Sequence, residues 1–160
     1  NDNLPDAENE LKEIQKLRIN KDVEELIIWE INSAGILIKI AYEVLSGEIA
    51  AKNKNYNAAI AHLKKAVELE YTLRYDEPPT WFYPCSQNLG AVLIEAGKYA
   101  EAEKVYLKNL EDVPENGWSL FGLHQSVLKQ NRIDEAGEIQ KRFNEAWKNA
   151  DVILTSSRIM

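Results

Sequence analysis

Along most of the chain, apolar residues recur at intervals of three and four, the spacing that lines one face of a helix. The pattern is densest over residues 89–114, where Leu89, Leu93, Tyr99, Val105 and Tyr106 alternate with the small residues Gly90 and Ala102. It predicts two amphipathic helices joined near Gly97 and stopped at Pro114. Glycine tolerates the left-handed conformation that commonly follows a helix, and proline cannot continue one.

The flanking segments repeat this design. Residues 1–5 read as a loose start, with Asp6 as a helix cap after Pro5. Leu11, Ile14, Leu17 and Arg18 then give helical spacing through about Ile19, and Asn20, Lys21 and Asp22 interrupt it and cap a second segment. Residues 23–31, with Leu26, Ile27, Ile28 and Trp29, fit a buried helix or an extended patch; the charge pairs around them favour helix. Asn32 and Ser33 are expected to cap a long helix over about residues 34–53, bearing Leu37, Ile40, Ala41, Val44, Leu45 and Ile49. A turn at Asn55, Tyr56 and Asn57 leads to a partner helix over about residues 58–71, with Ala59, Leu63, Ala66 and Val67 inside. A third pair opens at Asn116, Gly117 and Trp118, turns at residues 130–132 and runs through Ala136 and Ile139 to Phe143 and Trp147. Val152, Ile153 and Leu154 are expected to fold back onto that last helix.

Leu89, Gly90, Gly97, Tyr99, Ala102, Tyr106 and Pro114 stand at spacings that resemble the tetratricopeptide repeat, a helical hairpin of about 34 residues. Leu93 replaces its usual aromatic and Asn109 its usual alanine. Gly47, Tyr56, Ala59, Leu63 and Ala66 repeat the pattern upstream, with Glu43 and Ala50 where bulky residues are usual. Trp118, Phe121 and Gly122 carry it downstream, with Gln140 in the place of a core aromatic. The interval from Ala59 to Ala102 exceeds that from Ala102 to Ala136, and the excess falls in residues 72–81, where Pro78 and Pro79 forbid a continuous helix. GEIAA at 47–51, AIAHLKKAVELE at 59–70, YDEPPTWFYP at 75–84 and NGWSLFGLHQSVLKQ at 116–130 further resemble the C-terminal part of a group of mostly longer bacterial tetratricopeptide-repeat proteins. Ser86 stands where that group usually has an arginine.

The resemblance implies an all-α fold: a right-handed superhelical stack of about three hairpins over residues 34–72, 82–114 and 116–149. An N-terminal helical cap over 1–33 and a tail over 150–160 complete it. It also implies a non-enzymatic scaffold that binds a peptide or partner helix in a concave groove. The first helix of each hairpin would line that groove with Val44, Glu48 and Ala51, with Gln87, Asn88, Ala91 and Glu95, and with Ser119, Leu123 and Ser126. The variant of this fold that clamps acidic chaperone tails needs cations there, and Val44 and Glu48 do not supply them.

Composition narrows the partners. A net charge of −7, with no basic face to offset it, argues against a nucleic-acid backbone as partner. The most apolar run, residues 35–44, is interrupted by Lys39 and Glu43, so no membrane insertion is expected. The single cysteine, Cys85, excludes an internal disulfide and a multi-cysteine metal site, and it is expected to be a buried or half-buried thiol. His62 and His124 lie far apart without metal-type spacing, so neither cofactor nor metal is expected. No phosphate-cradling loop or nucleophile elbow is visible. The chain begins with Asn1, which fits a processed or excised piece, and cytoplasmic and exported locations are both compatible.

Two alternatives to the groove follow from local features. Tyr75, Asp76 and Glu77, with His62, could form a ligand- or metal-binding module at the proline loop; Trp81 and Tyr83 could instead anchor a partner at its rim. An exposed Ile-Ile-Trp patch within residues 26–31 would mark a self-associating face.

Overall fold

Helices form wherever the apolar period persists, and the computed structural model, which describes residues 3–158, is all-helical apart from one small hairpin. Its contacts divide it into two compact units, Asn1–Cys85 and Ser86–Met160. The expectations for the first two residues and for the end of the tail lie outside the described residues.

The first unit opens with α1 (Leu4–Arg18) and α2 (Lys21–Glu25). Helix α1 begins earlier than expected: Asn3 occupies its N-cap position, Pro5 lies in its first turn, and Asp6 is helical rather than the cap. A proline in the first turn removes only an amide that would have been unpaired there. Asn20 caps α2 as expected, its Oδ1 accepting the amide of Asp22 at 2.9 Å. The helical reading of residues 23–31 fails beyond Glu25. Instead β1 (Ile27–Ile28) pairs antiparallel with β2 (Asn32–Ser33), Ile27 opposite Ser33 and Ile28 opposite Asn32. Trp29 and Glu30 both take left-handed backbone angles, φ 49° and 63°, and the amide of Ile31 donates to the carbonyl of Ile28. Two consecutive left-handed residues reverse a hairpin tightly, a task usually given to Asn-Gly.

Helices α3 (Ala34–Lys52) and α4 (Tyr56–Glu70) form the first long antiparallel pair. Ser33 Oγ caps α3 and Asn55 Oδ1 caps α4, which therefore starts at Tyr56 rather than at Ala58. Close approach is set by Gly47: a Cβ there would lie 2.6 Å from Cγ of Leu63. Ile40, Ala66 and Cys85 form the buried centre, against which Ile36, Leu37, Val44, Val67, Leu69, Leu73 and Trp81 pack. Helix α1 docks on α3. Arg18 stacks on the ring of Tyr42 at 4.0 Å and reaches Glu43, a buried carboxylate that also meets His62 at 2.7 Å and Lys65 at 3.2 Å. Three cationic or hydrogen-bonding partners are what allow a carboxylate to sit where the repeat pattern prefers bulk.

The second unit holds the rest of α5 (Cys85–Glu95), then α6 (Tyr99–Asp112), α7 (Gly117–Lys129) and α8 (Ile133–Ala146). Gly97, at φ 72°, makes the α5–α6 turn, and Asn116 caps α7. Tyr106 on α6 is fully buried and wedged between two glycines: a Cβ on Gly90 or on Gly122 would overlap its Cζ. Trp118 and Trp147 meet edge to face, Phe121 packs on Phe143, and Phe143 stacks on Trp147, closing α7 on α8. No helix among the described residues is long and apolar enough to cross a membrane.

Candidate functional site

Helix α5 and helix α7 hold all the expected groove residues of the second unit, and the hydrogen bonds sort those residues by task. Gln87 is buried at 1% exposure, and its Nε2 donates to Asn116 Oδ1 at 2.9 Å. The same Oδ1 caps α7 by accepting the amide of Ser119 at 3.1 Å, so the Gln87 side chain secures a helix start. Ser119 does not face a groove either: its Oγ donates to Asn109 on α6 at 2.5 Å. That bond accounts for an asparagine where the repeat pattern has alanine, because each buried polar group supplies the other's partner. Ser126 Oγ turns back to the carbonyl of Leu123 in its own helix. Asn88, Ala91 and Leu123 are buried, and Glu95 is the member of the set that keeps a half-open side chain, 37% exposed.

What lies against α5 is the chain's own C-terminal segment. After α8 the backbone is non-helical; Trp147 Nε1 donates to the carbonyl of Val152 at 2.7 Å. Of the three residues expected to fold back onto α8, Val152 meets its end through that main-chain bond while its side chain stays 54% exposed, Ile153 is 91% exposed, and Leu154 is buried. The segment is instead held further on. Ser157, 2% exposed, shares a hydrogen bond with the hydroxyl of Tyr106 and donates to the carbonyl of Gln87 at 3.4 Å. Arg158, 7% exposed, places its guanidinium 2.6 Å from Glu95 Oε1. Gly90 and Gly122 give the Tyr106 hydroxyl its place at this seam, since any Cβ on either would occupy the space of the ring. Sequence reasoning identified Tyr106 as a packing knob and did not find Ser157 or Arg158. The pair of glycines flanking one tyrosine was the available signal.

In the first unit, Val44 is drawn into the apolar cluster rather than left open, Ala51 is buried and Glu48 is half-buried. Trp81 joins the same cluster, so it is a core side chain and not a rim anchor, while Tyr83 is half-buried. Tyr75 and Phe82 are the exposed aromatics of the loop, at 84% and 82%.

The loop carboxylates are engaged locally. Asp76 accepts the amide and hydroxyl of Thr80, and Glu77 accepts the Tyr75 hydroxyl, which with its charge pushes the phenol above its ordinary value. His62 is held by Glu43 on α3, so the structure does not gather Tyr75, Asp76, Glu77 and His62 into one site. Among the described residues no group of three metal-type ligands occurs. Burial, then the charge of Glu70, raise the thiol of Cys85, whose own amide donates to Glu70 at 2.9 Å. A fully buried thiol held in its neutral form is a packing group rather than a nucleophile.

A clasp for the loop was also missed in the sequence. Asn32, expected to cap α3, is buried and binds residues far along the chain: its side chain accepts the amide of Arg74 at 2.9 Å and donates to the Arg74 carbonyl and to Thr80. A cleft of about 340 Å³ opens beside it, lined in part by Ile27, Glu30, Ile36, Thr72 and Arg74.

No family model matches the chain, and no curated protein matches it.

Proposed function

We propose that the three helix pairs are tetratricopeptide-like repeats and that the protein is a non-enzymatic interaction scaffold taking a peptide or partner helix on the first helices of its hairpins. The right-handed superhelical stacking implied by the resemblance belongs to the same proposal. Support for the repeat comes from equivalent small-on-large packing in two pairs, Gly47 against Leu63 and Gly90 against Tyr106. The observation that carries the binding reading is that the α5 face already holds a non-helical length of polypeptide, through a hydroxyl, a main-chain carbonyl and a carboxylate. A face that seats one such segment has the features peptide grooves use: a shape for the backbone and a charge that selects a side chain.

The test is a displayed peptide library selected against the full chain, with wild type compared to Glu95→Lys and folding of both checked by circular dichroism. Peptides that lose tenfold or more in affinity on the folded variant place binding at this face. Selected peptides that bind both equally well overturn the assignment.

A second reading has its own observation. Leu26, Ile27 and Trp29 are exposed at 58%, 50% and 68% around the β1–β2 hairpin, which favours self-association there.

A further inference from the structure

The geometry points to a partner chemistry for the α5 face and to the reason it is closed in the isolated chain. We infer that this face takes, in trans, a segment in which a small hydroxyl residue is followed by arginine, and that residues 154–158 are a resident stand-in displaced by it. This rests on the interaction reading above.

Three observations carry it. First, the segment is not merely covering the end of the last hairpin. A cap for α8 would bury the run that follows it, yet Val152 and Ile153 stay in solvent, and the buried residues Ser157 and Arg158 reach back to α6 and α5. Second, the attachment is made of separable side-chain anchors. Leu154, Ser157 and Arg158 are buried while Asp151, Val152, Ile153 and Thr155 are exposed, so side chains spaced along the segment anchor it to the helices. Such segments open at far lower cost than the helices beneath them. Third, the receiving groups specify chemistry. Glu95 presents a carboxylate to a guanidinium, and the Tyr106 hydroxyl with the Gln87 carbonyl forms a small polar notch that accepts a hydroxyl. A charge-assisted pair with one member buried selects against a neutral or acidic residue at that place, because either would leave Glu95 facing an apolar group or a like charge.

Tethering sets the size of the effect. A covalently attached segment competes at an effective concentration of order millimolar, so a segment that itself binds the face with micromolar affinity weakens a partner by well over tenfold.

The probe is a fluorescein-labelled, C-terminally amidated peptide of residues 150–158, titrated into full-length protein and read by anisotropy. Arg158→Glu in the full chain breaks the ion pair and frees the face. The expected result is binding at least tenfold tighter to Arg158→Glu than to wild type. Adding Glu95→Arg to Arg158→Glu restores a reversed pair in cis and opposes the arginine of the probe, so binding is lost again. Should Arg158→Glu disturb folding by circular dichroism, Arg158→Ala carries the same expectation. Equal binding to wild type and the opened variant, or none to either, overturns the inference. Library peptides that depend on Glu95 yet bind wild type and Arg158→Glu alike remove the stand-in role and leave the scaffold reading in place. A library that yields no binder to either protein removes both.

Discussion

Tyr106 shows how one side chain can fix two helices. Its ring occupies space that a Cβ on Gly90 or on Gly122 would claim, and its hydroxyl continues into the hydrogen bond with Ser157. Replacing a mid-helix glycine with alanine gains up to about 1 kcal/mol from backbone propensity. At Gly122 that gain is opposed by overlap with a fully buried ring, which has Gly90 on its other side and no room to yield. Overpacking of this kind costs about 1–3 kcal/mol and dominates. We therefore expect Gly122→Ala to lower stability by about 1–2 kcal/mol net in urea unfolding. Gly137, mid-helix in α8 with nothing within 4 Å of where a Cβ would lie, is the control, and its alanine variant is expected to gain about 0.5–1 kcal/mol. Equal responses at the two glycines would contradict the wedge.

At the scale of elements, the joints between helices hold the electrostatics that matter. Glu103 on α6 accepts Arg132 at 2.7 Å and Gln130 at 2.7 Å, tying α6 to the turn between α7 and α8. Burial alone would raise its pKa; the hydrogen bonds from Arg132 and Gln130 outweigh that and hold the carboxyl below its ordinary value. A carboxylate depressed in the folded state contributes stability above its unfolded pKa and loses it as pH falls through the folded value. Wild type should therefore exceed Glu103→Gln by about 1 kcal/mol at pH 7, and the gap should narrow as pH falls below about 4. A gap unchanged at pH 3 would show that the charge is not what the joint uses.

The elements also divide by how far the chain announced them. The caps at Asn20 and Ser33 were legible as polar residues that interrupt the apolar period, and the cap bond is local; Asn55 and Asn116 read only as a turn and an opening, and Asp6 read as a cap where Asn3 takes that place. The β1–β2 hairpin was not legible, because its turn uses Trp29 and Glu30 where asparagine and glycine would signal left-handed backbone. Two-residue strands are also too short to show alternation. The Asn32 clasp, the Ser119–Asn109 bond and the Ser157–Tyr106 and Arg158–Glu95 pairs were hidden for a different reason. Each joins positions that share no period, so only the folded chain brings them together. The residues expected to line a groove share helix faces in the sequence, which held no sign of which side chains the fold would commit to its own joints.

For the whole molecule, the balance between charge and exposed apolar surface decides whether copies meet. A net charge of −7 keeps like copies apart, and the β1–β2 hairpin supplies the opposing term in Leu26, Ile27 and Trp29. Stable dimers bury roughly 800 Å² on each partner, and three part-exposed side chains supply only a fraction of that. Any association through this hairpin is therefore expected to be weak, of order tens to hundreds of micromolar. Its salt dependence identifies its origin. If apolar contact drives it against net repulsion, screening strengthens it; if opposite charges drive it, screening weakens it. Sedimentation velocity across protein concentration should show self-association that grows from about 50 mM to about 500 mM salt, on the order of the change in screening length. Trp29→Ser should abolish it without changing the helical circular dichroism, since the indole is exposed. A wild-type chain that stays monomeric at millimolar concentration and high salt leaves the hairpin without a self-partner, and the α5 face becomes the surface to pursue.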